Sequence, residues 1–348
     1  MEMNKEMLKK FCKDRKIKNK TIQTYESAIK QYEEYYDMSI EDLIWEALNE
    51  QGQGKPEVQQ KLFNRLEEYR DHLYNTNLAP STAKQKLRLV CTFYRHFRVR
   101  VPELYQQQTP DEYETNYYDI PNKKHIRQAL TIASGPVQAI ILFMASSGTA
   151  KEESLNLTVL DFIKATISYH NNVNGDIYEI LEGLKTSTNI VPLFYLQRVK
   201  TGNYYHTCCS PEATHAIINE LLSRPHVCHN DPLFDFTHRN LMEKFQQIND
   251  KLGWGYVKRY RFFTTHALRK FHASNLGLNT RDIHALQGRS NKAMTKIYMK
   301  INPEELREKY KTVLDNVTIR EPPKSIENAE FHIHINVMLM GNDYGVQI

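Results

Sequence analysis

The sequence has no apolar run long enough to cross a bilayer. The longest, Ala139 to Ala145, is far short of the ~20 residues a span requires. Its first residues, MEMNKEMLKKF, lack the apolar core of a secretory signal, so a protein kept in the cytoplasm is expected. Cysteine is scarce: five residues (12, 91, 208, 209 and 228), an odd number without CxxC spacing, predict free thiols rather than a disulfide framework. His226, Cys228 and His229 crowd together, but their spacing matches no structural zinc pattern, and no metal is expected. There is no internal repeat, low-complexity tract, P-loop, paired-carboxylate site or Ser-His-Asp arrangement.

What is present is ordinary globular composition, 41% hydrophobic and 25% charged, over 348 residues, a length comfortable for two domains. The net charge of +5 is too small by itself to argue for a nucleic-acid partner, but its distribution is uneven. Residues 1–20 carry eight Lys/Arg against three acids, and residues 258–300 carry ten against one. Between the halves, residues 102–121 hold five acids, three Gln and three Pro, and no Lys or Arg. Two basic segments around an acidic, Pro-punctuated strip suggest two lobes gripping a polyanion.

The first hundred residues read as helical. In Ser81 to Val99, Leu87, Val90, Tyr94 and Phe97 recur at helical spacing and define a buried stripe, with Ser81 as N-cap. Lys84, Arg88 and Arg95 fall on another face, with Arg98 close by, a face that can simply be solvated or, with DNA as partner, would lie along phosphates. Segments 5–15, 21–36, 39–49 and 57–75 supply the other helices of a small bundle. Beyond the acidic strip the pattern becomes mixed. Pro136 to Ser147 reads as a buried helix stopped by Gly148, and a second helix starts near Lys151 and runs through Leu155 and Leu157. Ile190 to Val199 and Asn203 to Cys209 are β-type runs joined by Lys200-Thr201-Gly202, a hairpin signal. Pro211 opens a helix to Leu222, and Thr264 to Asn316 is helical with breaks at Gly277 and Gly288. The tail, FHIHINVMLM over 331–340, alternates like a strand and needs a sheet edge to dock on, its own or a neighbouring protomer's.

The informative text is 264–300. His266 and Arg269 are three apart, on one face of a helix; Gln287-Gly288-Arg289 follows, and nine residues beyond Arg289 comes Tyr298. This segment resembles the C-terminal signature of the tyrosine recombinases, or phage integrases: H-x-x-R, then G-H, G-W or G-R, then a tyrosine nine residues on. The Leu-Gln-Gly-Arg wording and the KTGNYY hairpin look most like the archaeal and archaeal-virus branch. The resemblance implies a mainly α fold with a small antiparallel β-sheet. It would comprise a helical, SAM-like core-binding domain over 1–101, a linker over 102–121, a mixed α/β catalytic domain over 122–318 and a C-terminal arm over 319–348. It implies double-stranded DNA carrying a specific site as partner, a homotetramer assembled on that DNA, and chemistry without ATP, metal or cofactor. Tyr298 would be the nucleophile, Arg269 the phosphate clamp, His266 the proton acceptor, and Lys200 the acid that protonates the leaving 5′-oxygen. Arg289 would donate a hydrogen bond to the phosphate. Lys185 is a rival for the part of Lys200, farther from the clear hairpin.

One element of the family's pattern is missing. An arginine is expected just after the helix-ending Gly148, where the sequence reads Ala150-Lys151-Glu152-Glu153. Lys151, at a helix N-terminus, offers charge to a phosphate but not a guanidinium fork. Three readings stay open at this point: a working lysine, a weakened or inactive DNA-binding relative, or a substitution that traps a complex. A type IB topoisomerase shares the tyrosine chemistry but does not account for the separate helical domain.

Overall fold

The computed structural model describes residues 3–105, 116–289 and 301–320. The chain divides into two units, Met1–Glu114 and Thr115–Ile348, each with its own apolar core. Most described residues are helical and the sheets are small and antiparallel, the fold class expected from the sequence.

The first unit contains α1 (Met3–Asp14), α2 (Asn19–Tyr36), α3 (Ile40–Gly52), α4 (Lys61–Asn75) and α5 (Pro80–His96). The helix expected over 57–75 is interrupted: Glu57–Gln59 form a short 3-10 turn, and Gln60 is extended. The break is held by Glu50 of α3, whose carboxylate accepts from Lys61 N at 2.8 Å and so caps α4 from outside. Helix α5 starts earlier than the expected Ser81 cap. Ala79 is its N-cap, and Pro80 takes the first helical position, where the fixed φ of proline fits and no N–H is missed. Leu89, Val90, Phe93 and Tyr94 are buried, and Leu87 and Phe97 border the same core. Tyr32, Tyr69 and Tyr94 pack edge to face within it. Lys84, Arg88 and Arg95 stand exposed on the other side of α5, as the spacing predicts. After α5 the chain stays on this unit through Tyr105, whose carbonyl accepts from Arg70 Nη1 at 3.1 Å.

The second unit is built around α7 (Gly135–Ser147), preceded by α6 (Lys123–Ile132). Every residue of α7 from Ala139 to Ser147 is buried, the mark of a helix enclosed on all sides rather than of an amphipathic one. α8 (Lys151–Leu155) stops short of Leu157 because Thr158 begins a new helix, α9 (Val159–Ala165), by accepting from Asp161 N at 3.2 Å. Then come α10 (Ile167–His170), α11 (Ile177–Lys185), β1 (Leu193–Gln197), β2 (Tyr204–Cys208) and α12 (Pro211–Leu222). β1 and β2 form the expected antiparallel hairpin, in register from Leu193 opposite Cys208 to Gln197 opposite Tyr204. α13 (His238–Lys251) and the two-residue strands β3 (Tyr256–Val257) and β4 (Tyr260–Arg261) lead into α14 (Thr265–Asn275) and α15 (Thr280–Leu286). α16 (Pro303–Thr312) and α17 (Leu314–Val317) complete the described chain. α6, α11, α13 and the β3–β4 hairpin were not anticipated, and the strand expected over 331–340 lies outside the described residues.

A helix end leaves carbonyls without intrahelical partners. At the end of α7 three in succession are taken by side chains from distant elements. Ser146 O accepts from the Tyr310 hydroxyl at 2.8 Å, Ser147 O from Thr207 Oγ1 at 2.9 Å, and Gly148 O from Arg269 Nη1 at 2.6 Å. This one helix end therefore ties α16, β2 and α14 together. Tyr310→Phe removes one tie without changing shape, and is expected to cost about 1–2 kcal/mol because it strands a buried carbonyl. A lower urea midpoint at unchanged denaturant slope is the expected reading; an unmoved midpoint would show that Ser146 O finds another donor.

Candidate active site

Helix α14 begins at Thr264, whose hydroxyl accepts from Ala267 N at 3.1 Å. That start sets the phase of the helix, placing His266 at the solvent side and Arg269 in the interior, where it is 4% exposed. The Arg269 guanidinium bridges two helix ends. Nη1 donates to Gly148 O beyond α7, and Nη2 donates at 2.6 Å to Gln287 O, the C-cap residue of α15. Both carbonyls sit at the negative ends of helix dipoles, which compensates a buried cation without a carboxylate in contact.

Gln287 serves α14 a second time through its side chain. Its amide nitrogen lies 3.1 Å from Arg269 O and 3.0 Å from His272 Nδ1. Since that nitrogen donates to the carbonyl, it also donates to Nδ1, and the imidazole proton is assigned to Nε2. Gly148 is required beside this network. Its φ is +64°, and a Cβ there would stand 2.5 Å from His272 Nδ1 and 2.8 Å from Gln287 Nε2. Gly288 is required for a different reason. α15 ends in a Schellman turn, with Arg289 N on His284 O at 2.8 Å and Gly288 N on Ala285 O at 3.0 Å, which needs the left-handed backbone at 288. The turn also lays Gly288 against the Tyr205 ring, 2.5 Å from where a Cβ would be, and directs the chain into Arg289.

A further guanidinium completes the cluster. Arg198, just after β1, donates from Nη1 to the same Gln287 O at 3.1 Å. The base of its hairpin is closed by Arg198 N on Asn203 O and Gly202 N on Arg198 O, both 2.7 Å. Glu153, 3% exposed, accepts from Ala150 N at 3.0 Å and Val199 N at 3.3 Å, and lies 3.7 Å from Arg198 Nη1. It thus joins the start of α8 to the hairpin. The N-terminus of α8 is consequently no vacant anion cradle: the helix has five residues, and the Ala150 N–H is already bound by Glu153.

The charges of this region are mutually repulsive. Burial, then Arg198 and Arg289, bring Arg269 down to about 10, where it still carries its charge at neutral pH. Burial and Arg198 also lower Arg289. His266 is exposed at its edge yet hemmed in by protein atoms. That desolvation, with Lys270, Arg269 and Arg289, holds its imidazole below the usual range, hence neutral at pH 7. His272, fully buried, is pushed to about 3 by desolvation and by Arg269 and Arg289.

Of the residues singled out from sequence, His266, Arg269 and Arg289 are brought together. Tyr298 lies outside the described residues. Lys200 is exposed at the tip of the β1–β2 turn, and neither it nor Lys151 bonds through its side chain to a described residue. Lys185 ends α11 and pairs with Glu182 of the same helix at 3.7 Å. Cys228 Sγ contacts His226 Nε2 at 3.2 Å, and no group of residues among those described is arranged to hold a metal. Lys84, Arg88 and Arg95 belong to the first unit. The sequence reading passed over Arg198, His272 and the anchoring part of Gln287. Each had a signal: Arg198 is two residues from Lys200, His272 is three beyond Arg269 on one helix face, and Gln287 opens the Gln-Gly-Arg wording.

The arrangement is that of a known fold. No protein-family model and no curated protein matches the sequence. Among solved structures, the chain is similar to the integrase of transposon Tn1549 in complex with a circular-intermediate DNA. Identity there is 14%, covering 88% of this chain and 98% of that one, with a TM-score of 0.55. The same integrase in complex with the transposon right-end DNA gives 14% identity, the same coverage of 88% and 98%, and a TM-score of 0.51. At this identity the likeness establishes the fold alone, that of the Tn1549 integrase, and assigns no residue a role.

Two outcomes test the network. Gly148→Ala forces a left-handed alanine against His272, and is expected to destabilise the chain by about 2–4 kcal/mol in urea unfolding. A loss under about 0.5 kcal/mol would mean that the neighbours yield freely. For His272, whose folded value of about 3 lies below the unfolded 6.5, the unfolded state binds the extra proton between them. Its contribution to stability is therefore complete above pH 6.5 and is lost as pH falls, by about 2 kcal/mol at pH 5. His272→Asn should flatten the pH dependence by that amount, and equal slopes in both proteins would contradict the assignment.

Proposed function

We propose that this chain is a tyrosine site-specific recombinase that integrates or excises a mobile or viral element, nearest in wording to archaeal and archaeal-virus integrases. The observation that carries the reading is Arg269 held at two helix ends with His266 and Arg289 in electrostatic reach, in the one segment whose spacing also supplies Tyr298. A DNA phosphodiester resists attack because it is anionic, and its transition state gathers further charge on the non-bridging oxygens. Fixed guanidinium groups meet that charge with no reorganisation at the moment of reaction.

In this mechanism the Tyr298 oxygen attacks phosphorus and its proton passes to His266, which desolvation and then the surrounding cations keep neutral. The 5′-oxygen leaves with a proton from Lys200, giving a 3′-phosphotyrosyl link and a free 5′-hydroxyl. Reversal on another strand rejoins DNA without ATP or metal, because the link conserves the bond energy. The first unit, with Lys84, Arg88 and Arg95 on phosphates, serves as the core-binding domain over 1–101, joined through 102–121 to a catalytic domain over 122–318. Residues 319–348 act as an arm that docks on its own chain or on a neighbouring protomer in a tetramer on DNA. The absence of arginine at 150 and 151 supports a second reading, a DNA-binding relative that no longer cleaves.

The test uses duplexes from the flanks of the gene, nicked beside many phosphates so that cleaved ends are trapped. The expected result is a protein–DNA adduct that survives denaturant and vanishes in Tyr298→Phe. Its rate of formation should hold level from pH 8 down to 6.5 and decline below, since His266 titrates below that ordinary value. Tight DNA binding with no adduct would favour the non-cleaving relative; no salt-sensitive binding would remove both readings.

A further inference from the structure

The recombinase reading leaves a charge deficit. The attacked phosphate passes from one negative charge toward two. Arg269 is almost wholly buried, with two of its five N–H groups already on Gly148 O and Gln287 O. The segment where the family would supply another guanidinium holds Ala150 and Lys151. Lys151 makes no hydrogen bond or ion pair through its side chain with a described residue.

We propose that Arg198 is a phosphate-binding residue of this site, its guanidinium taking a non-bridging oxygen of the scissile phosphodiester alongside Arg269. This rests on the recombinase reading. The geometry supports it in three ways. Arg198 and Arg269 donate to one and the same oxygen, Gln287 O, at 3.1 and 2.6 Å, so their forks are immediate neighbours. The Arg198 side chain is 17% exposed, more open to solvent than Arg269 at 4%. Its backbone is fixed by the paired bonds that close the β1–β2 turn and its Nη1 by Gln287 O, so the fork is aimed before any ligand arrives. Glu153, the carboxylate beside it, does not take up its donors. At 3.7 Å the pair is electrostatic without a hydrogen bond, and the carboxylate oxygens are occupied by Ala150 N and Val199 N. Arg198 is also the leading neighbouring charge acting on both Arg269 and Arg289, an accumulation of like charge that an oxyanion relieves.

The consequence is a second guanidinium carried by the hairpin that also bears Lys200. Clamp and acid then share one hairpin.

The test compares the parent chain, Arg198→Ala, Arg198→Lys and Lys151→Arg in single-turnover adduct formation on the nicked duplex. Each is run with an ordinary phosphate and with a neutral methylphosphonate at the cleaved position. Unfolding curves identify any variant that loses the fold, and Arg198→Lys keeps the charge at that position. Removal of an oxyanion donor predicts a loss of roughly 10²–10³-fold in Arg198→Ala on the phosphate, with Arg198→Lys between it and the parent. On the methylphosphonate, where the charge to be met is gone, the loss should shrink to a few-fold. Lys151→Arg should gain little. A loss that is equal on both substrates, or absent, overturns the proposal by making Arg198 a clasp for Gln287 O, while adducts from the parent uphold the recombinase reading. A large gain from Lys151→Arg also overturns it, by placing the missing fork at 151. If the parent forms no adduct, the reading itself falls and the contact is judged by binding. Arg198→Ala should then reduce the salt dependence of duplex affinity by about one phosphate contact. An unchanged slope overturns the contact as well.

Discussion

The guanidinium of Arg269, held between Gly148 O and Gln287 O, is the interaction on which the second unit's functional region depends. A buried cation normally needs a carboxylate or loses its charge. Here two helices end against it, and the partial negative charge of their last carbonyls does the work of an anion. A carboxylate in direct contact would neutralise the group; main-chain dipoles steady it while leaving its formal charge intact. The fold can therefore keep a cation in its interior with its charge unneutralised.

The same arrangement carries a thermodynamic cost. Arg198 and Arg289 both disfavour the charge on Arg269, and the imidazoles of His266 and His272 are held neutral first by burial and then by the nearby cations. Two buried polar atoms beside them, His272 Nε2 and Gln287 Oε1, lack a partner among the described residues. Strain of this kind is tolerated because the surrounding packing is strong: α7 is buried from Ala139 to Ser147, and its last two carbonyls and that of its glycine cap are engaged from other elements. The core stabilises what the charged cluster destabilises, the usual division between scaffold and site.

Much of this was legible in the sequence, and the exceptions have physical causes. α7, its glycine stop, the β1–β2 hairpin and α12 announce themselves through local signals: proline at a first turn, glycine at a left-handed position, alternation around Lys-Thr-Gly. His266 and Arg269 follow from helical spacing, and Arg289 from its place after a Schellman glycine. Local rules misplaced the start of α5 because proline at the first position outranks serine as a boundary marker. They missed the break at Gln60 because its cap comes from Glu50, on another helix. Arg198 stood two residues from Lys200, yet its contact was hidden for the same reason. Nothing in its immediate neighbours says that its side chain reaches a carbonyl 89 positions away.

The anchors of the arginine pair are main-chain oxygens, and this affects how the site can change over time. A side-chain partner is lost whenever its codon mutates; a carbonyl persists through any substitution that preserves the path of the backbone. The position of the two forks is thus inherited with the helix ends rather than with the identity of residue 287. Arginines held in this way can stay registered while the surrounding text drifts, so the spatial order of such a site can outlast its readability as a motif.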